Sequence, residues 1–165
     1  MIAEGLLAVR VALRREFNRF EKQVRATARG DTRARLLMSI PGVGAIVSLT
    51  CASAIDDPTR FKSSKQVGAF FGLTPTKYQS GETDIDGRIS KIGDASVRAV
   101  LYEGAHIILT KPLKGSCTAL KSWAMRIARR GGMKKAKVAL ARKLAVIMHR
   151  MLADGASFRH VVAAV

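Results

Sequence analysis

Apolar residues recur at helical spacing over the first 28 residues of the chain. They step by fours and threes, so they share one face of a long helix. That face predicts either a coiled coil or a helix that docks on the rest of the domain. Arg-Gly-Asp at 29–31 is expected to end the helix, and Asp31 to cap a second helix from Thr32 to Ser39. The apolar face consists of Ile2, Leu6, Val9, Leu13, Phe17, Phe20 and Val24.

The remaining pattern predicts a mainly α-helical fold with one irregular segment. Residues 72–94 contain four glycines and alternating polar residues, which indicates turns or a hairpin. Asp94 is placed to cap the helix that follows, and Gly131-Gly132 to break the basic C-terminal region. The other predicted helices are Ala45–Ile55, Lys65–Phe71, Ala95–Thr110, Cys117–Arg130 and Lys134–Asp154. In the last of them the stripe expected to be buried is Ala141, Leu144, Ala145, Met148 and Leu152.

The net charge of the chain limits its possible functions more than its length does. The chain has 165 residues, 48% of them hydrophobic, which suits one domain with a core, and its formal net charge is +17. It has no run of about 18 apolar residues, so no transmembrane helix is expected. Glu4 stands where a secretory signal would carry positive charge. We therefore expect a cytoplasmic protein that binds nucleic acid, with an anionic membrane surface as the second choice.

The positive charge is concentrated toward the C-terminus. Between Glu103 and Asp154 the chain has twelve Lys and Arg residues and no acidic residue. A solvated helical face usually mixes both signs, so this stretch is interpreted as a surface for phosphates. Trp123 in the same stretch either stacks on a base or belongs to the core. The residues assigned to nucleic acid here are Arg129, Arg130, Lys134, Lys135, Lys137, Arg142 and Lys143.

The turn between the second and third predicted helices can also approach a phosphate backbone. It reads Pro41-Gly42-Val43-Gly44, which is typical of a helix-hairpin-helix element. Its glycines permit close approach, and the next helix offers free N–H groups at its positive end. We assign Pro41, Gly42 and Gly44 to DNA contact. The alternative is a tight turn between helices that binds nothing.

Chemistry is most plausible in the 72–94 segment. Tyr78, Ser80 and Ser90 place hydroxyls near Arg88 and Lys91, with Arg98 just beyond. A serine that attacks a phosphodiester needs cations around the non-bridging oxygens, where negative charge develops. From spacing alone the alternative, an ordinary Ser-Gly turn, stays open.

No metal site is predicted. Cys51 and Cys117 are far apart and are expected to be reduced, buried thiols rather than zinc ligands. Glu82, Asp84 and Asp86 imitate the first half of a calcium loop, but Gly93 occupies the position of its last ligand.

Three segments carry a longer pattern, namely LMSIPGVGAIVSLTCASAIDDPTRF, VGAFFGLTPTKYQSGETDIDGRISKIGDASVRAVLYEGA and GMKKAKVALARKLAVIMHRM. In this order they resemble the C-terminal transposase domain of the insertion sequence 110/116/902 group. The resemblance covers about Ala34 to Phe158. It implies a serine recombinase that does not have the usual serine-recombinase fold.

The resemblance also implies roles for individual residues. The family's Tyr-x-Ser-Gly element corresponds to 78–81, so Ser80 would attack a DNA phosphate and form a transient phosphoserine bond. The 87–91 segment matches the next element, and we assign Arg88 and Lys91 to support of the phosphate or the nucleophile on chemical grounds. The remaining assignments to nucleic acid in this region are Lys77, Tyr78, Gly81 and Arg98.

Similar proteins use a structured guide RNA, act as homo-oligomers, and carry an N-terminal RuvC-like domain whose acidic tetrad holds Mg²⁺. We expect that domain to be missing here, so that the chain itself holds no cofactor and needs the domain in trans for activity. The predicted organisation is a coiled-coil-like helix at 1–30, a transposase catalytic domain at 31–158 and a tail at 159–165. The expected protein is bacterial, nucleoid-associated, and a dimer or tetramer. The alternative is a non-catalytic fragment that binds DNA or RNA and acts in assembly.

Overall fold

The computed structural model describes residues 2–80, 83–112 and 118–158, and for 78–80, 83–86 and 118 it describes the backbone. The fold is mainly α-helical, as predicted. The helices are α1 (Ile2–Gly30), α2 (Thr32–Leu37), α3 (Ala45–Ile55), α4 (Ser64–Phe70), α5 (Ala95–Thr110) and α6 (Thr118–Asp154). A 3₁₀ turn, Pro58–Arg60, precedes α4, and strands β1 (Pro75–Ser80) and β2 (Thr83–Ile89) form an antiparallel sheet. None of these helices combines the length and the apolar character that crossing a membrane requires.

Most of α1 lies outside the core. Every residue from 2 to 20 is exposed, and Ala28 is the buried residue of this helix. Phe17 and Phe20 are 67% and 55% exposed. The apolar face predicted for α1 is present, but the described part of the chain does not cover it, so docking on its own domain is not observed.

The junction between α1 and α2 differs slightly from the prediction. Arg29 and Gly30 do not break α1, because the Asp31 N–H still donates to the Thr27 carbonyl at 3.0 Å. Asp31 then caps α2 as predicted. Its carboxylate accepts the backbone N–H groups of Arg33 at 2.7 Å and Ala34 at 2.9 Å, which α2 itself leaves without partners.

α2 also ends earlier than predicted, at Leu37 instead of Ser39. The N–H groups of Ser39 and Ile40 donate to carbonyls three residues back, at 3.1 Å each, so the chain tightens into a turn before α3. The bounds predicted for α3 and α5 agree with the structure, and α4 lies one residue earlier than predicted.

The core is organised around the C-terminal half of α6. Leu140 and Leu144 are fully buried on the side that α5 packs against, together with Leu101 and Ile108 of α5. Gly132 has φ 81° and ψ 163°, so it breaks α6 where the sequence predicted a break. The predicted stripe is confirmed by the burial of Ala141, Leu144, Ala145 and Met148, with Leu152 half-buried against the same core.

His149 fastens α6 to the segment that precedes α4. Its side chain is 3% exposed. Because the Pro58 carbonyl can only accept, Nε2 carries the hydrogen and donates to it at 2.9 Å. In the neutral ring, Nδ1 then accepts the hydroxyl hydrogen of Ser64 at 3.0 Å. The ring also meets Phe61 edge-on, with centroids 5.2 Å apart.

The prediction of a buried thiol is confirmed for Cys51. This residue is 1% exposed, and burial raises the pKa of its thiol to about 12. The thiol therefore stays protonated and packs as a small apolar group. Cys117 lies outside the described residues.

Phe71 and Phe17 allow a matched test of this core. Phe71 is fully buried and Phe17 is 67% exposed. We expect Phe71→Ala to lower the free energy of unfolding by about 3–5 kcal/mol, because it removes apolar contacts and leaves a cavity. Phe17→Ala should change it by less than about 0.5 kcal/mol in dilute, monomeric protein. Urea denaturation followed by circular dichroism measures both, and equal losses would contradict the assigned core.

Candidate active site

The candidate nucleophile stands at the far end of the β1–β2 sheet. Ser80 is the last residue of β1, and its backbone pairs with Thr83, the first residue of β2. Tyr78 pairs with Ile85 in the same ladder, and the connecting Gly81 and Glu82 lie outside the described residues. At about 3.3 Å per residue, Ser80 lies roughly 16 Å along β1 from Pro75, where the strand leaves the helical body.

The foot of this hairpin is a tight crossing of two backbone segments. Gly72 has φ +66°, and a Cβ built there would lie 2.1 Å from the Ile92 carbonyl oxygen. Gly93 has φ +109°, and a Cβ there would lie 2.2 Å from the Phe70 carbonyl oxygen. Both positions therefore require glycine for their conformation and for the closeness of the opposite backbone. The Lys91 N–H donates across the crossing to the Gly72 carbonyl at 3.1 Å.

Arg98 ties the two segments of the crossing to α5. Its Nη1 donates to the Gly93 carbonyl at 2.8 Å and to the Phe71 carbonyl at 3.2 Å. Asp94 caps α5: its carboxylate accepts the N–H and the hydroxyl of Ser96 at 2.7 Å each, so the predicted cap is confirmed. The guanidinium thus has a role in the fold that the sequence did not indicate, and its contact with DNA stays a prediction.

The structure places the two assigned catalytic cations near the foot of the hairpin. Arg88 lies five residues beyond Thr83, roughly 16 Å along β2 from the level of Ser80. Its carbonyl accepts the Thr76 hydroxyl at 2.9 Å, and its side chain is exposed. Lys91 is exposed in the crossing itself, with φ +56°. Lys77 is exposed on β1, opposite Asp86. Arg88 and Lys91 therefore lie far from Ser80 along the hairpin, and their support of the attacked phosphate stays a prediction.

The turn before α3 presents an open helix end. Gly42 has φ 91°, and Gly44 is the exposed N-cap residue of α3 without a side chain that accepts a hydrogen bond. A Cβ at Gly44 would meet nothing within 4 Å, so there is open space beside this residue. Pro41 is half-buried. Phosphate binding at this turn stays a prediction.

The residues of α6 assigned to nucleic acid fall into two groups. Lys137 and Lys143 are half-buried and lie over aromatic rings, those of Tyr102 at 5.4 Å and Trp123 at 4.2 Å. Trp123 packs against the core, so one of the two interpretations of this residue, core rather than base stacking, agrees with the structure. The group with exposed side chains is Arg129, Arg130, Lys134, Lys135 and Arg142.

No metal site is formed by the side chains that the structure describes. No group of three or more His, Cys, Asp or Glu residues comes together among them. Asp57 and Asp94 are occupied as caps, and the pKa of each is lowered first by a side-chain hydrogen bond, from Thr59 and Ser96 respectively. These residues do not fit Mg²⁺, so no step below passes through a metal on this chain.

Comparison with known proteins decides the family. A family model described as "Transposase IS116/IS110/IS902 family" matches residues 34–116. The chain belongs to this transposase family. The match contains the turn before α3, the hairpin with Ser80 and all of α5. The resemblance seen in the sequence is thereby confirmed.

Curated relatives extend the similarity over most of the chain. The transposase for insertion sequence element IS1111A of Coxiella burnetii is 32% identical over 140 residues, which are 85% of this chain and 38% of the relative. A "probable family 20 transposase" of Pseudomonas aeruginosa is 30% identical over 86% of this chain and 41% of the relative. The pilin gene-inverting protein of Moraxella bovis is 28% identical over 82% and 41%. The chain thus spans about two fifths of the length of these relatives.

Gly93 can be tested against Gly30, which has an ordinary helical environment and nothing within 4 Å of a built Cβ. Gly93→Ala should lower the free energy of unfolding by about 2 kcal/mol or more, because it adds backbone strain and a clash with the Phe70 carbonyl. Gly30→Ala should be neutral or slightly stabilising. Thermal unfolding compares the two variants, and a neutral Gly93→Ala would show that the crossing is not tight.

Asp94 gives a pH-dependent test. Its folded-state pKa is lowered, so its charge stabilises the fold above the unfolded pKa, and this contribution is lost as pH falls through the folded value. Asp94→Asn should therefore be less stable than wild type at pH 7, and this difference in stability should disappear as pH falls through the lowered folded-state pKa of Asp94. Glu103→Gln, an exposed control on α5, should show no such gap. Urea midpoints across pH 2–7 measure it, and a constant gap would exclude the charge as its cause.

Proposed function

We propose that this chain carries the nucleophile of a DNA transposase and that Ser80 is that nucleophile. The observation that carries the proposal is the position of Ser80 in the family-matched region, at the end of a hairpin whose foot is fixed by glycines and Arg98. The names of the relatives, transposases and a pilin gene-inverting protein, support DNA rearrangement as the overall activity.

In the proposed reaction the Ser80 Oγ attacks the phosphorus of a DNA phosphodiester. The new Oγ–P bond replaces the bond from phosphorus to one deoxyribose oxygen, which leaves as a hydroxyl after taking up a proton. The serine proton passes to a base outside the described residues. Because a phosphodiester is conserved as phosphoserine, a second DNA hydroxyl can reverse the step and rejoin strands without added energy.

The surrounding charges support binding along the same DNA. Arg88 and Lys91 lie toward the foot of the hairpin, where they would neutralise phosphates flanking the attacked one. The open N-terminus of α3 and the exposed cations of α6 extend the positive surface. A structured RNA as guide, assembly into dimers or tetramers, and a nucleoid location are part of this proposal. So is a RuvC-like partner domain that supplies Mg²⁺.

A second candidate function is non-catalytic binding of nucleic acid in assembly. The observation that favours it is the net charge of +17, to which the exposed cations of α6 contribute. Binding that neutralises about six phosphates should weaken roughly a thousandfold between 50 and 200 mM salt. This binding would be unaffected by Ser80→Ala.

A covalent-adduct assay separates the two functions. The chain is mixed with DNA carrying the ends of its element, alone and with the remaining part of the Coxiella burnetii relative. We expect wild type and Ser122→Ala, an exposed serine control on α6, to form a protein–DNA adduct that survives denaturation. Ser80→Ala should form none. An adduct with Ser80→Ala would exclude Ser80, and salt-sensitive binding without any wild-type adduct would establish the non-catalytic function.

A further inference from the structure

The short helix α4 has an exposed outer face. The helix has seven residues and is therefore about 10 Å long. Its inner side is formed by the buried residues Val67 and Gly68. Its outer side presents Lys65, Gln66, Ala69 and Phe70, all exposed. This outer side, with the flanking Arg60, Lys62 and Arg142, is called the α4 face below.

One edge of the α4 face is a cation held on aromatic rings. The Arg60 guanidinium carbon lies 5.8 Å from the centre of the Phe70 ring and 5.9 Å from that of Phe61. The Phe61 and Phe70 rings meet edge to face at 5.3 Å, and Phe61 rests in turn on the buried His149. Phe70 nevertheless stays 45% exposed. A fixed guanidinium and a partly open phenyl ring thus lie side by side.

The opposite edge is formed by Arg142 from α6. Its side chain crosses α4 at Gly68, where a built Cβ would lie 3.1 Å from Arg142 Cγ and 3.3 Å from Nε. The missing side chain at residue 68 therefore makes room for the arginine stem. Arg142 is exposed, and Gly68, which its stem contacts, lies three residues after Lys65 on α4, so Lys65 is on the adjoining side of the helix. Arg60 and Arg142 consequently flank the outer side of one short helix.

One acidic residue, Asp57, lies beside this surface. The pKa of its carboxyl is lowered first by the hydrogen bond from the Thr59 hydroxyl and also by the charge of Arg60, so Asp57 offsets Arg60 in part. Within the described part of the chain, no ion pair involves Lys62, Lys65 or Arg142. These three cations on a narrow face match the repeating charge of a phosphate backbone.

We infer that the α4 face binds a single strand of DNA. The cations would track its phosphates, and an unpaired base would stack on the exposed part of Phe70. Stacking favours a single strand over a duplex, because paired bases keep their faces inside the helix. The Phe70 carbonyl abuts Gly93 in the crossing, so this strand would reach the foot of the hairpin that carries Ser80. The inference rests on the proposed function only in the choice of DNA as ligand.

The test compares two triple variants that lose the same charge. Arg60→Gln/Lys62→Gln/Lys65→Gln removes three cations from the α4 face, and Arg10→Gln/Arg14→Gln/Lys22→Gln removes three exposed ones from α1. Affinity for a fluorescent oligonucleotide of about 20 nucleotides is measured against salt by anisotropy. Affinity falls as salt rises, so the slope of log affinity against log salt is negative. We expect the first variant to make this slope shallower by about two, and the control to leave it unchanged. Equal effects would overturn the proposal.

Phe70 tests the stacking contact. Phe70→Leu should weaken binding of the single strand about tenfold and leave duplex binding unchanged, and Phe70→Tyr should bind like wild type. Circular dichroism shows that each variant is folded. If Phe70→Leu weakens the binding of RNA of the same sequence but not of DNA, the α4 face is an RNA site. If it weakens single-strand and duplex binding equally, or changes neither, stacking on Phe70 is excluded. Both tests measure binding affinity alone, so the outcome of the adduct assay does not decide them.

Discussion

The candidate site depends on one backbone crossing. The chain leaves α4 through Gly72 and returns from the hairpin through Gly93, and the two segments approach more closely than any side chain at either glycine would allow. Arg98 fixes the crossing by donating to carbonyls on both sides. Everything that the hairpin presents, Ser80 included, takes its direction from this foot. A two-stranded hairpin alone is marginally stable in water, so the helical body must supply the constraint.

The helical body supplies it through α6. Its buried leucines hold α5, which carries Arg98, while His149 on another side holds the segment before α4. α6 thus holds the elements on both sides of the crossing. It packs on α5 through apolar contacts, and it binds the segment before α4 through hydrogen bonds. The same arrangement distributes the positive charge. Arg142 lies over α4, Lys143 lies over Trp123, and the exposed cations near Gly132 remain free for phosphates.

Much of this architecture could be predicted from the sequence. The sequence pattern identified α3 as an apolar run, α5 behind its cap Asp94, and the buried stripe of α6. The end of α1 was misplaced because main-chain hydrogen bonds continue past Gly30, and the end of α2 because the chain tightens at Ser39 and Ile40. The motif order identified the family. It also pointed to Ser80, for which spacing alone left an ordinary turn as the alternative, and the role of Ser80 stays a prediction.

The missed features all depend on contacts between distant segments. Gly72 and Gly93 were counted as turn residues, although a pair of glycines flanking one polar hairpin is a signal that could have suggested a close crossing. Arg98 was assigned to DNA because an exposed arginine and one that binds carbonyls look the same in sequence. The α4 face was missed since its cations come from the 3₁₀ turn, α4 and α6, and only the fold brings them to one helix.

Hydrogen exchange at the foot of the hairpin tests this account most directly. The amides of Leu73, Ser90 and Lys91 donate to the carbonyls of Gly68, Thr74 and Gly72 at 2.8, 2.9 and 3.1 Å. If Arg98 holds the crossing, these three amides should exchange as slowly as the core amide of Ser48, and Arg98→Ala should speed them up far more than it speeds up Ser48. Fast exchange at the three amides in the wild-type chain, or an equal effect of Arg98→Ala on all four, would contradict the account.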